Sequence, residues 1–264
     1  MRLRLGGVGF VLMTAVLAGT LPSRVVADEE GWIELIDSGA FDAWTPPTGA
    51  WAVVGDVRLD PENPKRLVAE PGTGVVYNGP TGRTRNLVTK EAFGDVAVHV
   101  EFLIPKGSNS GVKLQGVYEI QIFDSAGKAA PSGSDCGGIY PRAELRPRYH
   151  YLDAGHPPRT NAARPAGQWQ TLELTFRAPR FDADGRKVAD ARFETVVLNG
   201  QVIHQDVAVA TPTGNVWVLK QRPRGPLLLQ ADHGPVAFRD VRVRPLDGDG
   251  PSRPASAPEA GGAE

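Results

Sequence analysis

Glu119 and Gln121 sit two positions apart in residues 117–123 (VYEIQIF), a run that alternates between polar and apolar side chains. In a strand, that spacing puts Val117, Glu119, Gln121 and Phe123 on one face and Tyr118, Ile120, Ile122 and Asp124 on the other. If Ile120 and Ile122 face a core, the carboxylate and the amide share the opposite surface. In a concave, aromatic-lined groove such a pair can hold a sugar and take a proton from it. On an open sheet face the same two residues are only solvated, and residue type alone leaves both readings standing. Other polar residues stand out around them: Asn109, Ser110 and Gln115 upstream, Asp124 at the strand end, Tyr140 in CGGIY, and Gln230, Asp232, His233 and Arg239 towards the C-terminus. Glu119 and His233 are of the types that act as general base or acid, and Arg239 and Gln121 are of the types that steady a developing oxyanion.

These residues must be positioned by strands. Residues 107–125 (GSNSGVKLQGVYEIQIFDS) read as a Gly/Ser/Asn turn, a short strand over 112–115, a hinge at Gly116 and the strand 117–123. Upstream, residues 31–37 read as a first strand, 51–59 as a hairpin-like pair around Gly55-Asp56, and 67–78 as a strand broken by Gly72 and Gly74. Residues 96–104 alternate cleanly, with Val96, Val98, Val100 and Phe102 on one face. Residues 126–168 form a long irregular connection of the kind that carries function. Strand alternation resumes over 169–178, and residues 192–199 and 202–206 flank Asn199-Gly200, a two-residue hairpin signal. Residues 227–230 and 236–244 close the series. No stretch has the period of a long amphipathic helix, and about a dozen short strands between turns predict an all-β, two-sheet, concanavalin-like jelly-roll sandwich.

The chain has 264 residues, 41% of them hydrophobic, which suffices for a substantial core. Its net charge of -1 gives no reason to expect nucleic acid or an anionic membrane as a partner. Arg2 and Arg4 precede an apolar run over 5–21, and Val25-Val26-Ala27 supplies small residues for a cleavage site. Residues 1–27 are therefore expected to be a signal peptide, with an uncleaved anchor as the alternative, and the protein is expected to be exported to the periplasm or beyond the cell. Residues 247–264 hold no large apolar side chain and read as a disordered tail, leaving 28–246 as the folded domain. Cys136 is the sole cysteine, so neither an internal disulfide nor a Cys-based zinc site can form. A small packing residue before Gly137-Gly138 is the reading preferred over a nucleophile. The glycine-rich nucleotide loops, the GxSxG elbow and the HExxH helix are all absent.

The stretches TKEAFGDVAVHVEF, NSGVKLQGVYEIQIFDS, CGGIY, GQWQTLELTFRAPRFDADGRK, LNGQVIH and GPLLLQADHGPVAFRDVRVRPL resemble the 3-keto-disaccharide hydrolase domain, also described as a 3-keto-glucoside 1,2-lyase/3-keto-2-hydroxy-glucal hydratase domain. The resemblance implies a concanavalin-like jelly roll. It also implies cleavage of 3-keto-glycosides by β-elimination followed by hydration, a net hydrolysis. A separate sugar 3-dehydrogenase would supply the ketone. On this resemblance Glu119, His233 and Arg239 are the catalytic candidates, and Asn109, Gln115, Gln121, Asp124, Tyr140 and Gln230 are the substrate-binding ones. Two departures stand out, Gln115 where members often carry Arg and Asp240 where they often carry Asn, and Lys113 takes a place that is often aromatic. No cofactor is fixed by the sequence. A divalent cation, if bound, would be hard or borderline, with Glu119, Asp124, Asp232 and His233 as its candidate ligands. A non-catalytic carbohydrate-binding module of the same fold is the main alternative, and a structural or surface-display domain a third. Each candidate also has a structural reading: Glu119 as the ion-pair partner of Arg239, Asp124 and His233 as turn formers, Tyr140 as a groove wall, and Asn109 as a turn cap.

Overall fold

The computed structural model describes residues 31–36, 41–46, 48–80 and 82–246. The expected signal segment (1–27) and tail (247–264) lie outside the described residues. Within them the chain forms strands and no helix. In chain order these are β1 (Ile33–Glu34), β2 (Ala52–Leu59), β3 (Leu67–Tyr77), β4 (Leu87–Phe93), β5 (Val96–Leu103), β6 (Asn109–Leu114), β7 (Tyr118–Phe123) and β8 (Ala143–Glu144). They are followed by β9 (His150–Tyr151), β10 (Gln170–Arg177), β11 (Arg180–Phe181), β12 (Lys187–Ala189), β13 (Ala191–Leu198), β14 (Gln201–Val209), β15 (Gly225–Leu229) and β16 (Ala237–Pro245).

Two antiparallel sheets make the sandwich. The larger has the order β14-β13-β10-β5-β16-β3-β2, with β1 also paired to β16, and the smaller has the order β4-β15-β6-β7. Alternation decides which side chains meet between them. Val98, Val100 and Phe102 of β5, Leu172, Leu174 and Phe176 of β10, and Phe238 of β16 point inwards against Tyr118, Ile120 and Ile122 of β7 and Leu227 and Leu229 of β15. Each such side chain contributes roughly 1.5–3 kcal/mol by leaving water. This two-sheet architecture is the predicted jelly-roll class. A second apolar cluster (Val54, Val57, Leu67, Val75, Tyr77, Leu103, Ala237) lies on the other face of the larger sheet, with Trp169 packed against it.

Two local expectations change. Residues 51–59 do not form a hairpin: β2 is one strand, and its register against β3 shifts between Val54 and Asp56. β3 is likewise one strand, Leu67–Tyr77, without the break expected at Gly72 and Gly74, and Gly55 and Gly72 explain the shift instead. A Cβ on Gly72 would lie 2.6 Å from the Gly55 Cα, so the two backbones cross where no side chain fits. Glycine here serves a bulge and a close approach, not a turn. At Asn199 and Gly200 both φ angles are positive (51° and 79°), as the two-residue hairpin turn requires.

Candidate functional site

The smaller sheet turns its core side chains inwards and leaves a second face with a different composition. Register sets that face in rows. Leu228 of β15 pairs with Lys113 of β6, and Lys113 pairs with Glu119 of β7. In the next row the Gln230 amide N–H donates to the Gly111 carbonyl, and Gly111 pairs with Gln121. The predicted alternation of β7 therefore holds, but its polar face is not solvated: Glu119 is 3% exposed and Gln121 2%. Gly111 makes room for the carboxylate, because a Cβ there would come within 2.3 Å of Glu119 Oε1.

The cover over β7 comes from the long connection after it. The Tyr140 N–H donates to the Glu119 carbonyl, the Gln121 N–H to the Gly138 carbonyl, and the Gly137 N–H to the Gln121 carbonyl. Residues 137–140 thus add a short edge to β7, and buried His204 anchors them through Nε2 at 2.7 Å from the Gly137 carbonyl. Cys136, 1% exposed, lies in this strap, and burial pushes its thiol up to about 12, which suits packing and not nucleophilic attack. On the far side of the sheet, Asn78 pins the 231–236 loop by donating to the Ala231 and Gly234 carbonyls and accepting from the Val236 N–H. Ser108 Oγ donates to the Pro235 carbonyl, and Asn86 accepts from the Ala231 N–H. His233 is carried on this braced loop.

The site's electrostatics follow from this packing. Lys113 Nζ contacts Glu119 Oε2 at 3.0 Å. Burial pushes the Glu119 carboxyl above the usual carboxylate range; Lys113 and His233 pull it part of the way back, and Asp232 adds to the rise. His233 Nδ1 lies 2.6 Å from Asp232 Oδ1, a contact that calls for a proton on Nδ1 and directs Nε2 towards other work. Gln230 Nε2 is 3.3 Å from the same His233 nitrogen. The side-chain oxygens of Gln121 and Gln230, which flank Gly111 in one row, are both buried without a hydrogen-bond partner. Unpaired buried acceptors of this kind are costly, and a water or a ligand hydroxyl would relieve them. Tyr140 Oη hydrogen-bonds to Tyr149 Oη at 3.0 Å and to Tyr151 Oη at 3.1 Å. Burial, then these two bonds, raises the Tyr140 hydroxyl well above the ordinary phenol range. A groove of about 470 Å³ is lined by Thr45, Arg85, Asn86, Val88 and Asp232. Another of about 430 Å³ passes Tyr140, Arg142, His156 and Thr213.

The structure therefore brings Glu119, Gln121, Gln230, Asp232, His233 and the Tyr140 segment to one region, and separates the rest. Arg239 is the main correction. It lies beyond Phe238 on β16 and so points to the opposite face of the larger sheet, where its Nε contacts Glu101 Oε2 at 2.5 Å and its guanidinium lies 4.0 Å from the Trp169 ring centre. It neither converges with Glu119 nor pairs with it; Lys113 is the partner instead. Gln115 occupies the β6–β7 turn at φ 52° and donates from Nε2 to the Pro223 carbonyl. Asp124 closes the turn before β6 by accepting from the Gly107 N–H at 2.9 Å, the turn-forming alternative. Asn109 begins β6 opposite Phe123, half-buried at the end of the polar face.

The candidate cation ligands Glu119, Asp124, Asp232 and His233 do not form a cluster. Among the described residues the one group of three that can reach a common metal ion is His99, Glu101 and Asp240, on the larger sheet's outer face. Arg239 already contacts Glu101 there, and Arg242 contacts Asp240 at 3.0 Å, so positive charge is supplied from within the chain. Asp240 sits in a bulge of β16 at φ 45°, not at a strand end. Asn and Asp tolerate this left-handed conformation best among side-chain-bearing residues.

Sequence reasoning gave Tyr149 and Tyr151 no part in the site, and took Lys113 only as a departure, at an often aromatic place, that bears on how a sugar ring stacks, not as the partner of Glu119. Lys113 was legible in principle, since a hinge centred on Gly116 sets position 113 opposite 119. The tyrosines were not, because they lie in a connection without periodicity.

The family model for the 3-keto-alpha-glucoside-1,2-lyase-like domain matches residues 31–244. No curated protein matches the chain. Among solved structures, a candidate glycosyl hydrolase from Parabacteroides distasonis ATCC 8503 is similar at 24% identity and a TM-score of 0.56, over 82% of this chain and 84% of that one. A second from the same organism is similar at 16% identity and 0.47, over 75% and 89%. Alginate lyase Aly36B is similar at 9% identity and 0.40, over 82% and 97%. The first of these shares the sandwich fold.

Proposed function

Because the chain belongs to the 3-keto-alpha-glucoside-1,2-lyase-like domain family, we propose that it cleaves 3-keto-glycosides by elimination across C1–C2 and hydration of the product. Family membership makes it a carbohydrate-active, glycoside-acting protein, and the contact between Glu119 and Lys113 supports the finer reading. In a 3-keto sugar the acidic C2–H and the C3 carbonyl are on adjacent atoms. A carboxylate and an ammonium 3.0 Å apart match them, one taking the proton and the other steadying the oxyanion that forms on O3.

The steps balance around two side chains. Glu119 accepts the C2 proton, the C1–C2 double bond forms, and the C1–O bond breaks. His233, as imidazolium held by Asp232, gives its proton to the leaving oxygen. A water then adds at C1 and loses its proton to His233, while Glu119 returns a proton to C2. The free 3-keto sugar and the original protonation states result. The amide oxygens of Gln121 and Gln230 accept from sugar hydroxyls. No pair of carboxylates spaced for ordinary glycoside hydrolysis is required.

This reading includes export of the chain, and an upstream sugar 3-dehydrogenase that makes the ketone. A second reading, a carbohydrate-binding module, is favoured by the half-exposed rings of Tyr149 and Tyr151. The two separate in one experiment: the purified protein is incubated in deuterated water with 3-keto-trehalose and with trehalose. Release of 3-keto-glucose carrying deuterium at C2, from the oxidised sugar only, is the expected result. Binding without release makes the protein a module, and cleavage of both sugars without C2 exchange overturns the elimination.

A further inference from the structure

The rim beside Glu119 carries aromatic surface that the elimination chemistry leaves unused. Residues 137–140 run along the edge of β7, with the Tyr140 N–H 3.1 Å from the Glu119 carbonyl, and the β8–β9 hairpin sets Tyr149 and Tyr151 against the Tyr140 side chain. Tyr151 meets Tyr140 edge to face at 5.8 Å and Tyr149 meets Tyr151 in the same way at 5.7 Å. The rings are therefore held in place by both stacking geometry and hydroxyl bonds, yet Tyr149 is 48% and Tyr151 46% exposed. Rigid, half-exposed rings at a fixed distance from reacting groups form a ready platform for a flat ligand.

We propose that Tyr149 and Tyr151 form the leaving-group subsite and select an aromatic ring there over a second sugar. This rests on the 3-keto-glycoside reading of the same site. Three observations favour the aromatic ring. The hydroxyls of the three tyrosines are bonded to one another, so the platform presents mainly carbon and ring edge. Arg142, on the hairpin's flank, is already paired with Asp153 at 2.6 Å and lies 5.4 Å from the Trp217 ring centre. The same connection exposes Leu145 and Leu152. A second sugar would find the three tyrosine hydroxyls and Arg142 already engaged, and could bond only the exposed Glu144, Arg146, Arg148 and His150 at the hairpin's edge, whereas an aryl group stacked on the rings needs no such bond.

The test measures kcat and KM for the 3-keto forms of 4-nitrophenyl glucoside, methyl glucoside and trehalose. The proteins are the wild type, Tyr149→Ala, Tyr151→Ala and the corresponding Phe variants. Calorimetric titration of unoxidised 4-nitrophenyl glucoside gives a readout independent of turnover. The aryl-to-methyl ratio of kcat/KM should fall about tenfold or more in the Ala variants, through KM, and return in the Phe variants. Equal losses on all three substrates would assign the tyrosines to support of the fold and overturn the proposal. A fall confined to the trehalose-to-methyl ratio would overturn it in favour of a sugar at this subsite. If no 3-keto substrate turns over but the wild type binds the aryl glucoside and the Ala variants bind it at least tenfold more weakly, the reaction is wrong and the platform stands. Absence of aryl binding by a non-cleaving wild type removes both.

Discussion

A carboxylate shut away from water and paired with one ammonium ion is held between two opposing effects. Burial favours the protonated form of Glu119, and the Lys113 charge favours the ionised one. Burial is the larger, so the folded pKa lies above the unfolded value of about 4.3. The protonated form then favours folding: the contribution is complete below about pH 4.3 and is lost as pH rises through the folded pKa. Once ionised, the side chain carries a burial cost that Lys113 offsets. Glu119→Gln removes the basicity and that cost together, leaving Lys113 unmatched. It should lower kcat by about 100-fold or more, with a melting temperature within a few degrees of wild type. The acid limb of the wild-type pH profile should lie above that of an ordinary glutamate. A folded, fully active Glu119→Gln would move the base to His233. Gly111 tests the same geometry without touching the charge. The Gly111→Ala methyl would meet Glu119 Oε1 at 2.3 Å and turn the carboxylate away. Activity should drop at least tenfold while the protein stays folded, since a flexible carboxylate end can shift.

At the scale of elements, the strap over β7 depends on His204 as much as on its own backbone. Burial depresses the His204 pKa, opposed by the bond to the Gly137 carbonyl. A depressed folded pKa means that stability is complete above the unfolded value of about 6.5 and is lost as pH falls through the folded one. Thermal melts should therefore show wild-type stability falling from pH 7 to pH 5, with a shallower fall in His204→Gln; parallel curves would exclude His204 as the source. The bulge in β16 gives a second element-level expectation. Asp240→Asn should melt close to wild type because Asn accepts φ 45°, whereas Asp240→Val should cost roughly 1–3 kcal/mol of backbone strain. These elements also mark what was readable beforehand. β5, β7 and β10 announce themselves because each buries alternate side chains against one core, a local pattern with a global cause. The burial of Glu119 was not readable, since its cover comes from residues about twenty positions away with no repeat of their own. The bulges at Gly55 and Asp240 were missed for a related reason: a register shift is a property of two strands, and one strand's residues do not contain it.

For the whole molecule, the sandwich keeps two polar systems on opposite outer faces, with the apolar core between them. One is the Lys113, Glu119 and His233 group on the smaller sheet. The other surrounds β5 and β16 on the larger sheet, where His99 lies 3.1 Å from Asp240 and 3.4 Å from Glu173, and Arg239 meets Glu101. The parity of β16 decides this separation: Phe238 enters the core, so Arg239 must leave it. Arg239 therefore sits with the larger sheet's outer polar group, apart from Glu119. Its pair with Glu101 is partly exposed, 37% and 24%, so most of the Coulomb energy is screened, and the stack on Trp169 adds a comparable amount. Arg239→Met keeps much of the apolar stem and loses the fork. It should lower stability by about 1–2 kcal/mol, seen as a lower denaturant midpoint with an unchanged slope. Its kcat/KM on a 3-keto-glycoside, corrected for the folded fraction, should stay within about twofold of wild type. A tenfold loss of kcat in fully folded Arg239→Met would mean that the two faces are coupled, and the separation argued from strand parity would fail.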